Sequence, residues 1–203
     1  MSLKKFKNLS RSIFYNKKSK KAKLKTINKI PYMWYLTDNI KTKNPSKTIN
    51  MLSNKNGIVI RNYNSIFNKN LTKKLIKKSK RKNLKILISG EKSIFPNIDG
   101  YHIPKWKNNM PKSNKIISIS VHGLKDIRKC INYNATLVFI APIFKTTSHN
   151  NQSSLGVIKL GLLARNFNIP IIALGGINEK NIRLLRSLPI HGVGGIDIFE
   201  NFK

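Results

Sequence analysis

Cysteine occurs once in this 203-residue chain, as Cys130, so no disulfide can form within it. A lone thiol fits a reducing, cytoplasmic setting. Long apolar runs are also missing. No stretch approaches the roughly 18 residues of a membrane span, and the first residues hold neither an apolar signal core nor a marked cleavage site. Acidic residues are scarce, 7 against 40 Lys and Arg, for a formal charge of +33. That excess predicts a non-specific, salt-sensitive affinity for polyanions such as nucleic acid. The devices of sequence-specific readers are absent, because Arg is outnumbered by Lys 7 to 33 and neither Arg nor aromatic residues cluster.

What the chain has in abundance is Lys, Ile and Asn, with 26 of the last. A/T-rich codons encode these three, so coding composition acting on exposed positions accounts for much of the charge. The charge is also uneven. Residues 1–130 carry 33 basic and 4 acidic residues, and residues 131–203 carry 7 and 3. Residues 1–30, with 11 basic residues and no acid, are expected to form a basic N-terminal arm, disordered or loosely docked. A single domain is expected from 31 to 203, long enough to bury a sizeable core.

Within that domain, short apolar and β-branched runs recur as "YMWYL" (32–36), "GIVIR" (57–61), "LKILIS" (84–89), "GYHI" (100–103), "KIISISV" (115–121), "TLVFIA" (136–141), "PIIALG" (170–175) and "HGVGGID" (191–197). Several are apolar on both faces, as parallel strands covered by helices are. Helical spacing falls between them. Phe67, Leu71 and Leu75 lie four apart, Leu124, Ile127 and Ile131 follow a 0, 3, 7 row, and so do Leu155, Ile158 and Leu162. Ile182 and Leu185 make a shorter stripe. Eight strands alternating with helices predict an α/β fold, a (β/α)8 TIM barrel. It is a small one. The gaps after strands 3 and 4 are too short for full crossover helices, and few residues follow strand 8, so helices there are expected to be short or missing. An oligomer or a partner protein would cover such thin places.

A TIM barrel carries its site at the C-terminal strand ends. Those ends hold Thr37, Asp38, Arg61, Ser89, Glu91, His102, His122, the segment "IAPIFKTTSH" (140–149), and two glycine pairs, Gly175–Gly176 in "ALGGIN" and Gly194–Gly195 in "GVGGID". Two glycine pairs on adjacent strands near the end of the barrel favour phosphate binding, since backbone N–H groups can approach the oxygens with no Cβ between them. Cys130 beside an apolar row reads as core packing, Trp34 reads as core, and Trp106 sits in a basic loop.

The motifs "YLTD", "GIVIR", "DGYHI", "SVHGLKDIRKC", "FIAPIFKTTSH", "SSLGVIKLGLLARNFNIPIIALGGI" and "GVGGIDIF" follow one another in an order and spacing that resembles the thiamine phosphate synthase/TenI superfamily, over about residues 31–200. The resemblance implies a (β/α)8 barrel. It also implies a transferase of thiamine biosynthesis, joining a hydroxymethylpyrimidine diphosphate to a thiazole phosphate and releasing pyrophosphate with Mg2+. By the same resemblance Thr146, Thr147, Ser148, His149, Gly175, Gly176, Gly194 and Gly195 would bind the substrate phosphate. Arg61, His102 and His122 are the catalytic candidates.

The departures are equally specific. The strand-two pattern keeps only its Arg, as Arg61. Ser89 and Gly90 stand where the family has Asn and Asp, with Glu91 one residue late as the substitute metal ligand. Lys105 and Lys107 stand where an acid is expected, His149 replaces a Lys, and Asp197 replaces a Ser that faces the phosphate. Two further readings stay open. One is a TenI-like thiazole-phosphate binder or isomerase without synthase activity. The other is a polyanion-binding protein acting through the basic arm and "KNLTKKLIKKSKRKN".

Overall fold

The computed structural model describes residues 3–14, 30–38, 40–42, 44–61, 69–89, 95–107, 113–146 and 153–200. Eight strands form where the β-branched runs lie: β1 Met33–Leu36, β2 Asn56–Arg61, β3 Lys85–Ser89, β4 Gly100–Ile103, β5 Ile116–Val121, β6 Leu137–Ile140, β7 Ile171–Leu174 and β8 Gly192–Gly195. Each pairs in parallel with the next and β8 closes on β1, giving a barrel in sequential order. Followed once around, the pairings return about eight residues out of step, the stagger of a (β/α)8 barrel.

Because side chains alternate across a strand, the apolar runs split into two cores. Trp34, Leu36, Val59, Leu87, Leu137, Phe139, Ile172 and Leu174 fill the lumen. Tyr35, Ile58, Ile60, Ile86, Ile88, Ile119, Val138 and Ile140 belong to the outer core shared with the helices. Trp34 is the largest lumen residue and meets Phe139 edge-on with centroids 5.5 Å apart. It needs Gly57 beside it, since a Cβ there would overlap the indole ring.

The outer layer is uneven. Helix α1 spans Leu3–Phe14, α2 Pro45–Met51, α3 Lys69–Arg81, α4 Ile127–Asn132, α5 Gly156–Ala164 and α6 Asp197–Glu200. Asn44 caps α2 by accepting from the Lys47 N–H at 3.0 Å, and Pro45 occupies the first helical position. Among the described residues no helix follows β3 or β4, and α6 has four residues, as the short gaps predict. After β7 there is a single 3-10 turn, Ile182–Leu185, whose Ile182 and Leu185 are buried.

In the segment expected to be a loose arm, residues 3–14 form α1, which buries Phe6, Ile13 and Phe14. Its Lys7 donates to the Met51 carbonyl where the chain turns towards β2. Residues 15–29 lie outside the described residues. The 0, 3, 7 rows mark α4 and α5 correctly but not their inner faces. α5 buries Leu160, Leu163 and Ala164, whereas Ile158 and Leu162 face outwards, and α4 buries Cys130 rather than Ile131.

Candidate active site

The C-terminal strand ends are drawn together by backbone contacts between loops. Leaving β6, the Ile143 and Phe144 N–H groups donate to the Leu174 and Gly175 carbonyls at 2.9 and 3.0 Å. The segment entering α5 returns over the same residues, with Leu155 N–H to Pro142 O and Gly156 N–H to Ile143 O, both at 2.9 Å. This packing explains the first glycine pair. Gly175 and Gly176 adopt φ of +90° and +65°, and a Cβ on Gly175 would lie 2.9 Å from Pro142 Cα. On Gly176 a Cβ would overlap the Lys145 carbonyl. Gly194 has a different reason, since its Cβ would come 2.7 Å from Trp34 O and 2.9 Å from Leu174 Cδ2 inside the lumen.

Both pairs, with Arg61 and Thr146, line one open cavity of about 90 Å3. That volume is well below the ~300 Å3 at which whole-ligand pockets begin; it suits one small anionic group, with the rest of a larger ligand extending through the open mouth. Leu36, Leu174, Ile177, Ile196 and Ile198 supply an apolar wall, and exposed Asp197 stands at the rim. The apolar wall is legible in the sequence only as strand ends. Nothing in the residue types marks Leu36 or Leu174 as pocket rather than core.

Arg61 is held by the two residues that follow β1. Its Nε donates to the Thr37 carbonyl at 2.6 Å and its Nη2 to Asp38 Oδ2 at 3.0 Å. Asp38 is itself fixed, its Oδ1 accepting from the Ile40 and Lys41 N–H groups at 3.0 Å each. Burial opposes ionisation of this carboxyl, but the two N–H groups and the Arg61 charge prevail and keep it below the ordinary carboxylate range. A sequence reading sees Asp38 as one more strand-end residue and misses its service to Arg61. The signal available was the "TD" step just after β1, which runs directly beside the strand that bears Arg61.

The histidines are elsewhere. His102 is 2% exposed inside the barrel, edge-on to Phe139, with Nδ1 2.9 Å from Ser118 Oγ and Nε2 2.9 Å from Ser120 Oγ. Ser118 Oγ also lies 3.2 Å from the Tyr101 carbonyl, which can only accept. Ser118 therefore donates there and accepts from Nδ1–H, leaving Nε2 to accept from Ser120. Burial first, then the charges of Arg61 and Lys129, lower the His102 pKa to about 3, so the ring is neutral near pH 7. His122 follows β5 and its N–H donates to Asp126 Oδ2 at 2.6 Å. Neither histidine lines the cavity. Thr147, Ser148, His149 and Glu91 lie outside the described residues. Cys130 is 5% exposed, and burial pushes its thiol up to about 11, as suits a packing residue. Trp106 is 63% exposed on its loop.

No group of three or more His, Cys, Asp or Glu side chains is placed to hold a metal among the described residues, and Asp38 is committed to Arg61. The described residues therefore do not build a metal cage of their own.

Residues 65–198 match the family model for thiamine monophosphate synthase. The chain belongs to that family. Thiamine-phosphate synthase of Prochlorococcus marinus subsp. pastoris is 34% identical over 106 residues, 49% of this chain and 29% of that protein. The Clostridium tetani enzyme of the same name is 30% identical over 108 residues, 49% of this chain and 51% of that protein. The chain thus spans about half or less of these relatives' length. Among solved structures, thiamine phosphate pyrophosphorylase from Pyrococcus furiosus superposes with a TM-score of 0.70 at 20% identity, covering 84% of this chain and 87% of that one. FabK from Thermotoga maritima superposes at 0.62 with 13% identity, so the barrel is shared beyond the thiamine monophosphate synthase family. No helix among the described residues is long and apolar enough to cross a membrane.

Proposed function

We propose that this barrel is a thiamine-phosphate synthase, joining a hydroxymethylpyrimidine diphosphate to a thiazole phosphate with release of pyrophosphate. One observation carries the reading: Arg61 and both glycine pairs line the same cavity at the C-terminal strand ends. The glycine backbone and Thr146 hold the thiazole phosphate, and the apolar wall of Leu36 and Leu174 accepts the ring. As the bond from the pyrimidine methylene carbon to the diphosphate oxygen breaks, that oxygen takes the electron pair and the carbon becomes cationic. The thiazole nitrogen then supplies the pair for the new C–N bond. Arg61, fixed by Thr37 and Asp38, meets the departing charge without having to reorganise. Mg2+ belongs to the proposal as the counter-ion the diphosphate brings, since Mg2+ ordinarily binds through phosphate oxygens and one or two carboxylates. Glu91 is the carboxylate offered for it.

A second reading has its own support. The Asn and Asp that the family has after strand 3 are replaced by Ser89 and Gly90, and Lys105 and Lys107 stand where an acid is expected after strand 4. A barrel with the phosphate half of the site and little else would bind thiazole phosphate, or isomerise it, without making thiamine phosphate. Purified protein given both substrates with Mg2+ is expected to release pyrophosphate and thiamine phosphate in equal amounts. Saturable thiazole-phosphate binding with no pyrophosphate above background would select the second reading, and no binding would sink both.

A further inference from the structure

Two apolar rows of the sequence serve the core only in part, through Ile127 and Leu155. Leu124, Ile131, Ile158 and Leu162 are 67%, 69%, 81% and 58% exposed, and Leu184 on the next connection is 56% exposed. The five sit on the connections that follow β5, β6 and β7, which stand side by side on the barrel wall. A Cβ on Gly161 of α5 would lie 3.2 Å from Leu188 Cδ2, just beyond the 3-10 turn, so these two connections adjoin. Scattered exposed aliphatics need no explanation. A concentration of them does in a chain that otherwise fills its surface with Lys and Asn, as on α3, where seven of 13 residues are basic.

We infer that this wall is a homodimer interface, two copies meeting about a two-fold axis beside α5. Area is the first reason. The five side chains expose on the order of 500 Å2 of apolar surface, close to the non-polar share of a standard interface of about 800 Å2 per partner. The placement of charge is the second. β2 and β6 stand four strands apart in a ring of eight, so lysine-rich α3 and apolar α5 lie on opposite sides of the barrel. α5 carries one basic residue, Lys159, among its nine, against seven among 13 on α3. A contact centred on α5 lets two strongly cationic copies meet while the lysine-rich α3 of each points away from the other. The chain's own residues 15–29 are a poor cover, with Tyr15, Ala22, Leu24 and Ile27 as their apolar residues among seven lysines. In a two-fold contact Ile158 and Leu162 of one copy meet the same patch of the other, which is self-complementary because it is apolar.

Sedimentation velocity on the full chain, at several concentrations and at low and high NaCl, tests the interface. A discrete dimer is expected, and it tightens with salt because screening removes repulsion between like-charged copies. The double variant Ile158→Lys/Leu162→Lys is expected to raise the dimer Kd by at least about 100-fold while leaving circular dichroism unchanged. Leu71→Lys on α3 is the control and leaves the dimer intact. If the double variant does not fold, Ile158→Ser/Leu162→Ser replaces it, with the same loss of dimer expected. A monomer at every concentration, open-ended aggregation, a dimer that loosens with salt, or a dimer that survives in a folded double variant would each overturn the inference.

Discussion

Gly176 shows how one position serves packing and site together. Its φ of +65° is one that side chains rarely adopt, and an alanine Cβ would overlap the Lys145 carbonyl on the neighbouring loop. Gly176→Ala should therefore cost about 2–4 kcal/mol and push the β6 loop off the cavity. Urea denaturation would show the first effect, and weaker inorganic-phosphate binding by the folded fraction the second. Unchanged phosphate affinity would mean that this loop does not shape the anion site. His102 is the other residue with a measurable consequence. Its folded pKa lies below its unfolded value of 6.5, so the unfolded chain binds the extra proton. Stability is then fully present above pH 6.5 and falls as the pH drops towards the folded value, by up to about 1.4 kcal/mol per pH unit. His191 is shifted in the same direction by burial and adds to the slope. His102→Gln should flatten the acid limb of a stability-versus-pH curve by about one proton, whatever it does to stability at pH 8. An unaltered slope would count against a neutral buried ring.

At the scale of elements, the connection after β4, which has no helix among the described residues, is held by a side chain instead. Lys129 of α4 donates to the carbonyls of Pro104, Lys105 and Lys107 at 3.0, 2.9 and 2.6 Å. Its ammonium satisfies three loop carbonyls that a helix would have paired internally. Burial lowers its pKa, against the raising effect of the Asp126 charge. Lys129→Met keeps the stem and removes the donors. It should cost about 2 kcal/mol and speed tryptic cleavage after Lys105 and Lys107, which mass spectrometry would detect. An intact loop in that variant would mean the carbonyls are satisfied by solvent.

Such a tie is invisible to sequence patterns, because Lys129 is one lysine among 33. The strands were legible because β-branched runs bounded by turn residues have few other uses, and all eight fall where those runs lie. The helix faces were not, because a 0, 3, 7 row shows that a face is apolar without showing what covers it. Of the cavity lining, the glycine pairs and Arg61 were legible. The pair holding Arg61 in place was not, since it joins Asp38 and Arg61 across two strands whose register only the folded barrel fixes.

At the scale of the molecule, charge is the dominant imbalance. Between described residues, carboxylates and cationic side chains approach within 4 Å in only two pairs, Arg61–Asp38 and Lys85–Asp99. A net +33 with so little internal compensation makes the compact state repel itself. Exposed pairs contribute little in any case, so adding salt should relieve more repulsion than it screens attraction. Raising NaCl from about 10 mM to about 150 mM shortens the screening length from ~30 Å to ~8 Å. The Tm should then climb by roughly 5 °C, equivalent to about 1–2 kcal/mol for a chain of this size. Chloride is the right anion for the measurement, because sulfate and phosphate strengthen apolar burial generally and are the anions proposed for the glycine-lined cavity. Scanning calorimetry across a chloride series, at a protein concentration where the association state is constant, separates self-repulsion from dimerisation. A flat or falling Tm would show that the lysines are too far apart and too well solvated to strain the fold. Their number would then be a matter of composition alone.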